Sequence, residues 1–127
     1  MFTKDNLQVD DNKLLGYALD QNHPCGRDKA IAFEKALGYN KSNYKILKEQ
    51  IIENVDEYIP IERRANEYGR VFSIVISITG VNSKQAAVQT GWLLEKGQTK
   101  LRLTSAYVTN KKINYKKEAS EYVNKNV

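Results

Sequence analysis

His23 is the single histidine of this 127-residue chain, and the single cysteine, Cys25, stands two residues further on. Imidazole is the one side chain whose unperturbed pKa, about 6.5, suits proton exchange near neutrality. A cysteine–histidine pair can form an activated nucleophile, but two residues so close on one turn are poorly placed to stand side by side. Zinc needs about four N or S ligands, and this pair supplies two at most. The chain lacks the glycine-rich phosphate loop ending in Gly-Lys-Ser/Thr, and it lacks the dinucleotide Gly-x-Gly-x-x-Gly. No cofactor is expected. A two-metal nuclease wants converging carboxylates, yet the apolar C-terminal segments hold no acidic residue from Val71 until Glu95. No metal site is expected either. Lys29, with Arg27 nearby, begins a helical pattern where backbone N–H groups also point outward, a natural place to hold phosphate.

Charge supports an anionic partner. Net charge is +5, but residues 1–60 carry eight Lys/Arg against ten Asp/Glu, whereas residues 61–127 carry twelve against five. Clustered cations gain affinity for nucleic acid by displacing phosphate counterions. A solvated lysine-rich surface gives the same count. No apolar run approaches the roughly 20 residues of a membrane span. The polar start Met1-Phe-Thr-Lys-Asp is unlike a signal peptide, and one cysteine fits a reducing compartment. A cytoplasmic protein with no membrane partner is expected.

The elements that must position these groups follow from hydrophobic period. Leu14, Leu15, Ala18 and Leu19 share one stripe of a short helix over Asp11–Leu19. Pro24 and Gly26 interrupt the chain. A second helix runs over Arg27–Leu37, burying Ala30, Phe33 and Leu37, with Gly38 as its left-handed cap. A third starts after Asn40 or Ser42, carries Tyr44, Leu47, Ile51, Val55 and Tyr58 on one side, and ends at Pro60. From Val71 the period becomes two. Strands are predicted over Val71–Thr79, Gln85–Leu94 and Leu101–Val108, joined by turns at Gly80-Val-Asn-Ser and Lys96-Gly-Gln. In the last, strict alternation puts Leu101, Leu103, Ser105 and Tyr107 on one face and Arg102, Thr104, Ala106 and Val108 on the other. The fold expected is α+β, with three N-terminal helices packed on one face of an antiparallel meander of three to four strands. The domain is bounded at residues 1–108, and residues 109–127 form a basic tail or peripheral helix with Tyr122 and Val123 as late apolar anchors.

Four stretches then carry a resemblance: His23-Pro-Cys-Gly-Arg-Asp-Lys29 through Gly38, Glu67-Tyr-Gly-Arg, Val88-Gln-Thr-Gly-Trp92 and Leu103-Thr-Ser-Ala-Tyr-Val108. In order, over about residues 9 to 108, they resemble a family of small bacterial domains of unassigned function. That family occurs stand-alone and at the C-terminal ends of polymorphic toxins. Helices followed by antiparallel sheet are also similar to the metal-independent ribonucleases of the barnase, EndoU, colicin and RelE type. The resemblance implies a toxin endoribonuclease that cleaves RNA, tRNA among the candidates, by 2′-hydroxyl attack, with an acidic immunity or antitoxin protein as partner. Such cleavage needs a proton acceptor, a proton donor and positive charge beside the phosphorus. His23, Lys29, Thr104 and Tyr107 are the catalytic candidates on this view, and Arg27, Thr90 and Arg102 the substrate-binding ones. Thr90 shares a face with Val88 and Trp92, so it also suits a buried strand position, and His23 before Pro24 also suits a plain turn. The alternative is a non-catalytic module of a phage or mobile element that binds nucleic acid or protein.

Overall fold

A computed structural model describes residues 2–117, and it is built on a single five-stranded sheet of order β1-β5-β4-β3-β2. β1 is only Leu7–Gln8 and pairs parallel with the start of β5. Next come α1 (Asp11–Lys13), widened into a π-type stretch over Leu14–Ala18, then α2 (Arg27–Leu37) and α3 (Tyr44–Val55). β2 (Ile61–Asn66), β3 (Gly69–Thr79), β4 (Gln85–Glu95) and β5 (Leu101–Val108) follow as an antiparallel meander.

The period-two strands and the helices meet in one core. Phe72, Ile74, Ile76 and Ile78 of β3, Val88 and Trp92 of β4, and Leu101 and Leu103 of β5 are buried against Phe33 and Leu37 of α2 and Leu47, Ile51 and Val55 of α3. Trp92 and Phe33 are fully buried. Phe2 closes this core with its ring edge-on to Phe72 at 5.3 Å and Trp92 at 6.0 Å, a favoured aromatic geometry. Gly38, at φ 77°, ends α2 in the left-handed region that a side chain disfavours.

Several expectations are corrected. The sheet has five strands, not three to four. β1 is too short to show a period, and every residue of β2 is exposed, so neither leaves an alternation in the sequence. The helices are not one N-terminal block, because β1 precedes them and helical backbone resumes at Lys117. α3 stops at Val55, well before Pro60, in a turn that brings Tyr58 beside Lys116. In β5 a register shift inserts Thr104, so Ala106 and Val108, not Ser105 and Tyr107, join Leu101 and Leu103 on the helix side.

After β5 the chain stays tied to the sheet. Thr109 N–H donates to Ala87 O, and Asn114 then clamps the far edge of β3. Its N–H donates to Val75 O, its Oδ1 accepts from Val75 N–H, and its Nδ2 donates to Ile59 O. Val75, whose backbone Asn114 holds, is buried although it lies on the face away from the helices. The remainder of the tail, with Tyr122 and Val123, lies outside the described residues. Among the described residues no helix is long and apolar enough to cross a membrane.

Candidate nucleic-acid interface

The sheet face turned away from the helices holds the densest set of polar groups on the strands. Pairing arranges it in rows across the strands. One row reads Ile61, Ser73, Gly91, Ser105; the next, about 7 Å along the strands, reads Arg64, Val71, Leu93, Arg102. On the other side of Gly91, Val75, Gln89 and Tyr107 stand in register.

Gly91 makes a notch in the middle. A Cβ built there would lie 2.7 Å from Ser105 Oγ and 3.1 Å from Thr104 Oγ1, so both hydroxyls lean over the missing side chain. Neither makes a hydrogen bond among the described residues. Two irregularities flank the notch and both double a functional residue type. In β5 the bulge at Thr104 sets two consecutive hydroxyls on one face; in β2 the shift between Glu62 and Arg64 does the same for Arg63 and Arg64. Arg63 Nε donates to Ser73 Oγ at 2.7 Å, which carries its guanidinium over the open face. Arg64 has no ion-pair partner among the described residues.

At the β5 edge, Lys29 reaches round from α2 and sets Nζ 4.5 Å from the centre of the Tyr107 ring, a cation–π contact. Tyr107 OH has no hydrogen-bond partner among the described residues. Beside Tyr107, Gln89 Oε1 is buried with no hydrogen-bond partner among the described residues, which costs roughly 1–3 kcal/mol when nothing uses it. Arg102 is held by Glu95 at 2.6 Å.

Thr90 lies elsewhere. It is fully buried on the helix side, donating its hydroxyl to Ile74 O and accepting from Trp92 Nε1, each at 2.8 Å. It ties a strand to the core indole.

His23 sits in the turn before α2. Its Nδ1 accepts from the backbone N–H groups of Cys25 and Gly26, both at 3.0 Å, so Nδ1 is the unprotonated nitrogen and Nε2 the free one. The ring lies edge-on to Tyr17 at 4.9 Å. Asp20 in the same turn is held below the usual carboxylate range, chiefly by a hydrogen bond from Lys41, with the Asn22 N–H helping. His23 shares an open groove of about 480 Å³ with Gln21, Asn22, Pro24, Arg27 and Ile31. Arg27 and Lys29, two apart on α2, therefore serve different places, since such spacing points side chains to nearly opposite sides of a helix.

The seven candidates thus fall into separate groups. The structure brings together Lys29 with Tyr107, Thr104 with Ser105, and His23 with Arg27; Arg102 faces Glu95, and Thr90 is core. No hydrogen bond, ion pair or ring contact among the described residues joins His23 to Lys29, Thr104 or Tyr107. Sequence reasoning missed Arg63, Arg64, Ser73, Gln89, Gly91 and Ser105. Only the adjacent arginines and a glycine inside an apolar strand hinted at them.

Residues 3–110 match the family defined by the domain of unknown function DUF6883. The chain belongs to this family. No curated protein and no solved structure matches it. The match takes in all five strands of this DUF6883 domain and both bulges beside the notch.

Proposed function

We propose that this DUF6883 domain is a metal-independent endoribonuclease of the bacterial toxin type, holding RNA across the open face of its sheet. One observation carries the reading: two unengaged hydroxyls lean over Gly91 between a guanidinium pair on one side and the Lys29–Tyr107 pair on the other. A phosphate over the notch accepts hydrogen bonds from Thr104 and Ser105, while Arg63 and Lys29 neutralise it. Charge-assisted donors of this kind are worth most where negative charge grows in the transition state. The 2′-oxygen attacks phosphorus, the bond to the 5′-oxygen breaks, and Tyr107 donates the proton that the leaving oxygen needs. The products are a 2′,3′-cyclic phosphate and a 5′-hydroxyl. The 2′-proton passes to solvent water, and His23, in the separate groove it shares with Arg27, contacts a distant phosphate through Nε2.

The same reading gives the domain a cytoplasmic site of action, tRNA among its substrates and an acidic neutralising protein as partner, since a basic surface selects an acidic complement. Incubating the domain with total tRNA in EDTA tests it. Fragments ending in 2′,3′-cyclic phosphate are expected, with Lys29→Ala and Tyr107→Phe each slowing their appearance by about 10²-fold or more. Intact RNA, with salt-sensitive binding that survives both changes, establishes the non-catalytic binding module instead.

A further inference from the structure

Beside the notch, toward β1, the open face dips into a cavity of about 210 Å³ lined by Gln8, Leu93, Glu95, Gln98, Lys100 and Arg102. We propose that this cavity is a base-recognition subsite that takes one unpaired guanine of the bound RNA, a proposal that rests on the reading of the open face as an RNA site.

Position comes first. Leu93 is two residues from Gly91 on the same strand face, and Arg102 is its partner on β5, so the cavity opens about 7 Å from the hydroxyls over the notch. That separation lets one nucleotide lay its phosphate at the notch and its base in the cavity. Gln8, the second residue of β1, is paired with Arg102 and forms the outer wall. The two-residue strand therefore completes a pocket that β5 alone leaves open.

Chemistry selects the occupant. Leu93, half-buried, supplies an apolar floor for the flat face of a base. A duplex cannot use that floor, because its bases are stacked and its surface is sugar and phosphate, whereas a single strand can splay a base out. Around the floor stand both donors and acceptors. Glu95 binds Arg102 through Oε1 and keeps Oε2 for a ligand. A carboxylate accepts from two adjacent N–H groups, and guanine presents them as its ring N–H and 2-amino group. Arg102 is suited to the O6 and N7 acceptors, the commonest specific contact of arginine with a base. Lys100 donates to Asp5 O at 3.4 Å and has further protons to offer. Gln98 makes no side-chain hydrogen bond among the described residues.

Titration calorimetry with the 3′-monophosphates of guanosine, adenosine, cytidine and uridine, and with inorganic phosphate, tests the assignment on the intact chain. The guanosine nucleotide is expected to bind about ten- to a hundredfold more tightly than the others, the discrimination of one good bidentate pair. Glu95→Gln, which keeps the shape and removes the charge, is expected to bring the four affinities together. Equal binding of all four nucleotides, or binding no tighter than inorganic phosphate, overturns the base pocket. In parallel, a single-stranded guanine-containing 12-mer and its duplex are compared by fluorescence anisotropy. RNA held without preference for base or strandedness overturns the subsite alone. A domain that binds no RNA of either kind overturns the open-face reading as well.

Discussion

The two faces of the central sheet are made by the same strands, residue by residue, and differ in almost everything else. On the helix side Trp92, Ile74, Ile76, Val88 and Leu103 are fully buried, and the one polar group among them, Thr90, spends its hydroxyl on Ile74 and Trp92. On the other side stand Ser73, Gly91, Ser105, Thr104 and the arginines of β2, with hydroxyls over the notch that have no hydrogen-bond partner among the described residues. Buried polar atoms are normally satisfied and packed side chains are normally apolar. The open face departs from these habits at Gln89, whose buried Oε1 has no hydrogen-bond partner among the described residues.

Urea unfolding can sharpen this contrast. Trp92→Ala should cost about 3–5 kcal/mol, because it empties the centre of the core, whereas Leu93→Ala, one residue away on the open face, should cost about 1 kcal/mol or less. Similar losses would mean that the open face is packed as tightly as the helix side. Next in size, Thr90→Val should cost roughly 1–3 kcal/mol, since it keeps the shape but orphans Trp92 Nε1 in the core; a neutral effect would return Thr90 to the list of binding residues.

Tyr39 adds a pH test on the helix side. Its buried hydroxyl donates to Thr79 O at 2.6 Å, and burial raises its pKa above the usual tyrosine value, a hydrogen bond from Gln50 only partly opposing this. A raised folded-state pKa leaves stability intact below about pH 10 and removes it as pH climbs further, because the unfolded chain loses the proton first. Midpoints measured from pH 8 to 11 should fall at the alkaline end, and Tyr39→Phe should flatten the fall while costing about 1 kcal/mol at neutrality. An unchanged alkaline slope would assign it to other groups. The smallest stability effect is expected at the notch. Gly91→Ala meets the ends of two rotatable side chains, so stability should shift by about 0.5 kcal/mol or less. RNA cleavage or binding should nevertheless fall by about tenfold or more as the hydroxyls are pushed aside, and full retention would remove the notch from the site.

The local elements were legible before any coordinates. Period 3.6 with Gly38 at its end predicts α2 to the residue, and period two predicts β3, β4 and β5 within two residues, because burial of one face imposes its spacing on the side chains. The apolar faces of α2 and α3 were equally plain. What the sequence could not determine is everything that depends on pairing. β2 is exposed throughout and carries no alternation, and β1 exists only because β5 is there to receive it. The bulge that inserts Thr104 is a property of two strands in register, and it alone decides that Ser105 and Tyr107 face the open side while Ala106 goes to the core. Thr90 and Thr104, on adjacent strands, end on opposite faces of one sheet, Thr90 with Trp92 and Thr104 with Arg102, as alternation along each strand already has them. Hydrophobic period fixes which residues must be hidden; only the strand partners fix which of the others stand together.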